Sequence, residues 1–357
     1  MDEPDPHRDR PAGFPPGVPF PPDRVAVVLL SAIGDVVHGM PVVTSLREAW
    51  PDARIDWVIE RRIHPLVAPH PDVDDFVLFD RSAGLSGFRE FRRRARERRY
   101  DLVVDLQVYL KAGVLTGLLD ADVKLGFDRA RAKDLNWLFT THRIPPHPVQ
   151  HVQDQYFEFL AHLDVEPVVE WRFAFDREER RAREAFFERF ERPVLAVVLR
   201  TTREDKNWPA DRYARVLEVA EAELGLAPVL VGSDAPPERA VADAILAETG
   251  ADPVDALATD LRRLAWTLAG ADLTLSPDTG PLHVSNAVGT PVVGLYGATD
   301  PKRAGPYRPE FRELVVDAFT DPGETEAVHE YRSGRMERIT VEQVVGRLTE
   351  AVERFVR

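Results

Sequence analysis

Ten short β-rich runs recur along the chain with helix-length polar/apolar segments between them, the pattern of βα units that build a parallel sheet. In the first half the strand candidates are 24–31 (RVAVVLLS), 54–60 (RIDWVIE), 75–80 (DFVLFD), 100–107 (YDLVVDLQ) and 123–127 (VKLGF). A second series runs through 193–199 (PVLAVVL), 227–233 (APVLVGS), 271–278 (ADLTLSPD), 291–297 (PVVGLYG) and 313–317 (ELVVD). Several of these runs are apolar at consecutive positions, as expected when helices cover both faces of a sheet. The expectation is an α/β protein with two Rossmann-like, doubly wound domains in tandem, whose ligands bind in the cleft between the strand C-terminal ends.

The boundary between the two series falls in a charged stretch flanked by Pro167 and Pro193. This gives a first Rossmann-like domain over 23–165, a linker over 166–192 and a second Rossmann-like domain over 193–339. Residues 340–357 (TVEQVVGRLTEAVERFVR) carry apolar side chains at helical spacing and form a terminal helix that packs back on the body. Residues 1–22 hold eight prolines and no apolar core of the signal-peptide kind, so they read as a disordered leader.

Composition narrows the function. With 60 acidic against 46 basic side chains the formal charge is -14, which repels polyanions and disfavours nucleic acid as a partner. The absence of cysteine removes disulfides, thiolate-bound zinc, iron–sulfur clusters and a thiol nucleophile. No segment approaches the roughly 20 apolar residues that span a bilayer. A cytoplasmic protein is the default expectation. Only five lysines occur, at 111, 124, 133, 206 and 302, so each merits inspection.

Three strand-to-helix loops carry polar groups suited to chemistry. In Ser31-Ala32-Ile33-Gly34-Asp35, Gly34 permits close approach of a ligand. Asp35 either presents a carboxylate to the cleft or caps the following helix, roles that are compatible. A single glycine there does not meet the three-glycine dinucleotide fingerprint, which disfavours a nicotinamide-dependent oxidoreductase. In TTREDKNWP (201–209), Thr201, Thr202 and Lys206 can hold a phosphate, or the loop is simply solvated. In SPDTGPLH (276–283), Thr279 and Gly280 open a helix whose N-terminal amides suit an anion. Convergence of these loops at strand ends favours a nucleotide diphosphate.

Taken together the motifs resemble the ADP-heptose lipopolysaccharide heptosyltransferases of glycosyltransferase family 9, with the two-domain GT-B fold. The resemblance covers about residues 24–355. It rests on SAIGDVVHGMPVVTSLREAWP (31–51), IDWVIE (55–60), YDLVVDLQ (100–107), TTREDKNWP (201–209), SPDTGPLHVSNAVGTPVVGLYGATDP (276–301) and ITVEQV (339–344). TTREDKNWP looks more like the heptosyltransferases that add the first heptose to the Kdo of the inner core.

The resemblance implies an inverting transfer of heptose from ADP-heptose to the lipopolysaccharide inner core, either Kdo–lipid A or a heptosyl acceptor. It places Asp35 as catalytic base and Thr201, Thr202 and Lys206 on the donor pyrophosphate. Asp278, Thr279, Gly280 and His283 form the second donor loop, and Glu238, within GSDAPPER (232–239), takes the ribose or adenine. Gly34, Lys111, Arg92 and Arg93 fall on the acceptor side. No cofactor and no metal is implied, and the partners are the donor, an anionic glycolipid and, transiently, the inner face of the cytoplasmic membrane. Relatives often carry cysteines ahead of the terminal helix, where this chain reads YRSGRM (331–336). A relative using another nucleotide-sugar or acceptor, or a non-catalytic nucleotide-sugar binding module, are the alternatives. The arginine-rich segment 89–99 reads either as a basic helix facing an anionic lipid surface or as a solvated helix face.

Overall fold

A computed structural model describes residues 14–258 and 260–356. The chain divides into two compact units, one running to Pro148 and including Val152–Ala174, the other formed by Val149–His151 and the chain from Phe175 onward.

The first unit holds β1 (Arg24–Val28), β2 (Arg54–Glu60), β3 (Asp75–Phe79), β4 (Arg99–Asp105), β5 (Asp120–Gly126) and β6 (His142–Arg143). They form one parallel sheet in the order β3-β2-β1-β4-β5-β6. The second unit repeats the plan with β7 (Val194–Val198), β8 (Ala227–Val231), β9 (Val254–Asp255), β10 (Leu273–Pro277), β11 (Val292–Tyr296) and β12 (Val316–Asp317). Its order, β12-β11-β10-β7-β8-β9, is again all parallel. Each unit is thus doubly wound. The strand order reverses beside the first strand of each sheet, between β1 and β4 and between β7 and β10. Ligands of open α/β sheets gather at that switch, outside the strand C-terminal ends.

The central strands are buried along their whole length, as in β7, β8, β10 and β11, which explains their unbroken Val/Leu runs. In the first unit Val28, Val58, Val77 and Val103 meet Phe79, Phe91 and Tyr100 in one core. In the second, Val197, Leu230 and Leu275 pack with Tyr213 and Trp208. Two-residue edge strands β6 and β9 escape sequence reading because neither contains an apolar run.

The terminal helix Val341–Phe355 is capped reciprocally by Thr340 and Gln343, and it buries Val344, Leu348, Ala351 and Val352 in the second core. Trp208 locks its entry by donating Nε1–H to the Ile339 carbonyl at 3.0 Å. Within the stretch expected as a linker, the helix Arg177–Phe187 belongs to the second unit, capped by Asp176 and joined to Arg262 through Glu179.

The disordered leader expected over 1–22 lies outside the described residues as far as residue 13. Over 14–22 the structure differs, because Phe14 and Val18 are buried and Phe14 packs edge-on against Trp50 at 6.0 Å. Two apolar side chains among the prolines suffice to hold this piece down. Among the described residues no helix is long and apolar enough to cross a membrane.

Candidate functional site

The switch point of the second sheet carries a charged pair. After β7 the chain passes through Thr201 and a short 3-10 turn, Glu204–Lys206, before Pro209 caps the helix Ala210–Ala222. After β10 it reaches Asp278 and enters the nine-residue helix Gly280–Val288 at Thr279. Lys206 Nζ donates to Asp278 Oδ2 across this junction at 2.6 Å, with both side chains largely buried. Thr299, from the loop after β11, donates its hydroxyl to the same oxygen, and His283 Nε2 lies 3.7 Å from Asp278 Oδ1.

Burial alone pushes the Asp278 carboxyl up. The adjacent His283 ring and the charge of Lys206 outweigh it and hold the group well below the usual carboxylate range. Asp278 therefore stays charged and keeps the Lys206 ammonium in place. The ammonium and the N-terminal end of helix Gly280–Val288 bring positive charge to one strand-end junction, which is what an oxyanion requires.

The loop bearing Lys206 is braced from several directions. The Thr201 N–H donates to Asn207 Oδ1 at 2.7 Å, and the Thr201 hydroxyl donates to the Arg203 carbonyl at 2.7 Å. Thr201 is thus buried and serves first as a turn-former, whereas Thr202 is exposed. Tyr331 donates its hydroxyl to Asp205, Ser333 Oγ donates to the other Asp205 oxygen at 3.3 Å, and Arg203 stacks on the Tyr331 ring at 3.7 Å. The segment 331–336 thus clamps the phosphate-loop candidate by hydrogen bonds.

Glu238 stands in the first turn of helix Pro236–Glu248, after β8. It accepts from the Ser233 amide at 2.9 Å and from the Ser233 hydroxyl, and burial raises its carboxyl above the ordinary value despite these bonds. Gly232 makes the arrangement possible, since its φ is +147° and a Cβ there would sit 2.1 Å from Glu238 Oε1.

In the first unit Asp35 occupies the third position of helix Ile33–Ala49, one residue after Gly34, and its Oδ2 accepts from the Ala32 N–H at 3.0 Å. The capping role is real, and the half-buried carboxylate sits at the end of β1 beside the first switch point. Gln107, following β4, spans that switch. Its Nε2 donates to the Ser31 carbonyl, its Oε1 accepts from the Leu30 N–H at 3.4 Å, and its own amide donates to Asp105. Gln107 fixes the loop that presents Asp35.

Lys111 pairs with buried Glu60 at the end of β2, which Arg62 also contacts at 2.8 Å. Burial lifts the Glu60 carboxyl, but the two cations outweigh it and hold it below the usual range. Arg92 and Arg93 are exposed on helix Leu85–Ala95, and Arg93 is held by Glu90 at 2.9 Å. Among the described residues no group of three or more His, Asp or Glu is placed to hold a metal ion.

Sequence reasoning found Lys206, Asp278 and His283 and the structure brings these three together. It missed Thr299, Tyr331, Asp205 and Gln107, whose long-range partners lie between 21 and 128 residues away.

The model of glycosyltransferase family 9 (heptosyltransferase) matches residues 88–326. The chain is 31% identical to a lipopolysaccharide heptosyltransferase 1 of Salmonella typhimurium over 80% of its own length and 91% of that protein. It is 28% identical to the lipopolysaccharide core heptosyltransferase OpsX of Haemophilus influenzae, over 80% and 82% of the two chains. The structure superposes on the E. coli heptosyltransferase WaaC, solved with ADP, with a TM-score of 0.69 and 26% identity over 92% of this chain and 98% of that one.

Proposed function

The chain belongs to glycosyltransferase family 9, the heptosyltransferases, and from that premise we propose that it is an inverting, metal-independent transferase moving heptose from ADP-heptose to the lipopolysaccharide inner core. Its two doubly wound sheets are those of the GT-B class. The observation that carries the donor half is the Lys206–Asp278 pair at the switch point of the second sheet, next to a helix N-terminus. WaaC has been solved with ADP, and the charge at the Lys206–Asp278 junction suits a diphosphate.

In this reading Asp35 accepts the proton of the acceptor hydroxyl while that oxygen attacks the anomeric carbon of heptose. The bond from that carbon to the diphosphate oxygen breaks with inversion, and ADP departs with the electron pair. Lys206 and the amides of residues 279–280 stabilise the charge that develops on the leaving group, the task metal ions perform elsewhere. Asp278, Thr299 and His283 orient the ammonium. Glu238 is assigned to the ribose or adenine, and the acceptor is an anionic glycolipid at the cytoplasmic face of the membrane.

Titration calorimetry with ADP, UDP and GDP in EDTA tests the donor, and turnover of ADP-heptose on Kdo–lipid A in EDTA tests the reaction. Selective ADP binding and EDTA-resistant transfer are expected. Preference for UDP or GDP would transfer the Asp35 mechanism to another sugar, and failure to bind any of them would overturn the reading.

A further inference from the structure

Apolar side chains exposed singly on a surface carry no message, but a cluster does. Among the described residues nine large apolar side chains stand exposed, and four of them, Tyr109, Leu110, Leu135 and Leu138, share one face of the first unit. Leu135 and Leu138 are each 56% exposed. They gather because the loop after β5 folds over the start of helix Leu110–Leu118. The Lys133 amide donates to the Val108 carbonyl at 2.7 Å, and Asn136 Nδ2 reaches the Tyr109 carbonyl at 3.2 Å. Asp134 and Leu135 take left-handed backbone conformations, φ 50° and 65°, and the Leu135 side chain is left in solvent.

Cations are interleaved with this patch. Arg129 lies over the Trp137 ring at 3.8 Å, Arg143 approaches the same ring at 5.7 Å, and Lys133 lies 5.5 Å from the Tyr109 ring. Among the described residues none of these three has a carboxylate within ion-pair distance, and Asp134 is the one uncompensated acid of the loop 128–138, since Asp128 is bound by Arg131. In the arginine-rich segment 89–99 Glu90 holds both Arg93 and Arg94, and Asp75 and Asp122 hold Arg98 and Arg99; Arg89, Arg92 and Arg96 are exposed there, but the helix exposes a single large apolar side chain, Leu85. In a chain of net charge -14 a locally positive, apolar face is suited to an anionic surface.

We propose that this face, built on residues 109–110 and 129–143, docks the protein on an anionic phospholipid bilayer, with Leu135 and Leu138 entering the headgroup boundary and Arg129, Lys133 and Arg143 meeting lipid phosphates. Tyr109 and Trp137, each with an apolar body and a polar tip, suit that depth. The inference builds on the proposed function only in that a lipid-borne acceptor gives such docking a purpose.

The full-length protein is sedimented with vesicles of phosphatidylethanolamine and phosphatidylglycerol, and with vesicles of phosphatidylcholine, without donor or acceptor. Binding to the anionic vesicles that weakens as salt rises is expected. R129Q with K133Q should lower partitioning about fivefold per cation at low salt. L135S with L138S should lower it about tenfold or more. All four positions are exposed, and an unchanged thermal midpoint confirms folding of each variant. No binding to anionic vesicles, equal binding to phosphatidylcholine, or two folded variants that sediment like the parent would overturn the proposal. Calorimetry with ADP on the same preparation separates this failure from failure of the transferase reading.

Discussion

Lys206 Nζ and Asp278 Oδ2 lie 2.6 Å apart although 72 residues separate them in sequence. The two side chains leave neighbouring strands, β7 and β10, whose register fixes Ala196 opposite Thr274. The strand order reverses between β7 and β10, so the ion pair marks the switch point outside whose strand ends ligands of open α/β sheets bind.

The first prediction separates the charge from the group that holds it. Lys206→Ala removes the cation and should weaken ADP binding by about 10–100-fold, the range for a charge-assisted hydrogen bond. Asp278→Asn keeps the cation but loosens it, so the loss of affinity should be smaller while turnover falls. Calorimetry with ADP beside steady-state kinetics reads both. Equal ADP dissociation constants for parent and Lys206→Ala would remove Lys206 from the phosphate site.

Asp35 is both cap and proposed base, and one substitution can separate the roles. In Asp35→Asn the amide oxygen still accepts from the Ala32 N–H, so helix Ile33–Ala49 should keep its start and stability should change by less than about 1 kcal/mol. An amide cannot take the acceptor proton, so turnover should fall by roughly 10²–10⁴-fold with ADP affinity intact. Undiminished turnover would leave Asp35 a cap and nothing more.

Much of this architecture is legible in the sequence. Unbroken apolar runs such as VAVVLL and VLAVV announced strands buried on both faces, and loops written contiguously, as in TTREDKNWP and SPDTGPLH, displayed their polar groups together. What stayed hidden depends on register. Gln107 looks like the tail of a strand until β4 is set beside β1 and its side chain meets the Ser31 carbonyl. Tyr331 lies in a stretch without periodicity, and only tertiary packing brings it to Asp205. Phe14 was masked by the prolines around it. The arginines of 89–99 gave a strong compositional signal, but their carboxylate partners include Asp75 and Asp122, which sit on other strands.

The Tyr331 clamp yields a third prediction. Tyr331→Phe keeps the ring under Arg203 and deletes only the hydroxyl that Asp205 accepts. The loop 203–206 should become less fixed, raising the ADP dissociation constant several-fold, with global stability lowered by only about 1 kcal/mol. Tyr331→Ala should do more, because it also removes the stacking partner of Arg203. If the phenylalanine variant binds ADP as the parent does, the hydroxyl has no part in positioning Lys206.

Gly232 gives a fourth, more local test. An alanine there brings its Cβ to 2.1 Å from Glu238 Oε1 and must hold a φ of +147°. Gly232→Ala should therefore displace Glu238 and destabilise the second unit. Glu238→Gln leaves the backbone untouched and should preserve stability. If Glu238 reads the nucleoside, both variants should lose preference for ADP over UDP and GDP in calorimetry. Retained selectivity in the stable Glu238→Gln variant would restrict Glu238 to bracing Ser233.

The last prediction concerns pH and the first unit. Asp105 is fully buried at the end of β4, where burial pushes its carboxyl up to about 6 although the Gln107 amide, Asn136 and Thr116 all donate to it and pull the other way. A carboxyl with a folded pKa above its unfolded value of about 3.9 holds extra proton in the native state. Its stabilising contribution is then complete below about pH 4 and is lost as pH rises through about 6, on the order of 3 kcal/mol in all. Asp278, held below the usual range, has the opposite sign, contributing above about pH 4 and failing on acidification. Urea unfolding followed from pH 4 to pH 7 should show parent stability falling relative to Asp105→Asn, which cannot titrate. Parallel curves for the two proteins would mean that Asp105 keeps an ordinary carboxylate pKa in the folded chain. Since Asp105 also anchors Asn136, its ionisation bears on the loop that carries Leu135 and Leu138, so vesicle binding measured across the same range should change with the parent and not with the variant.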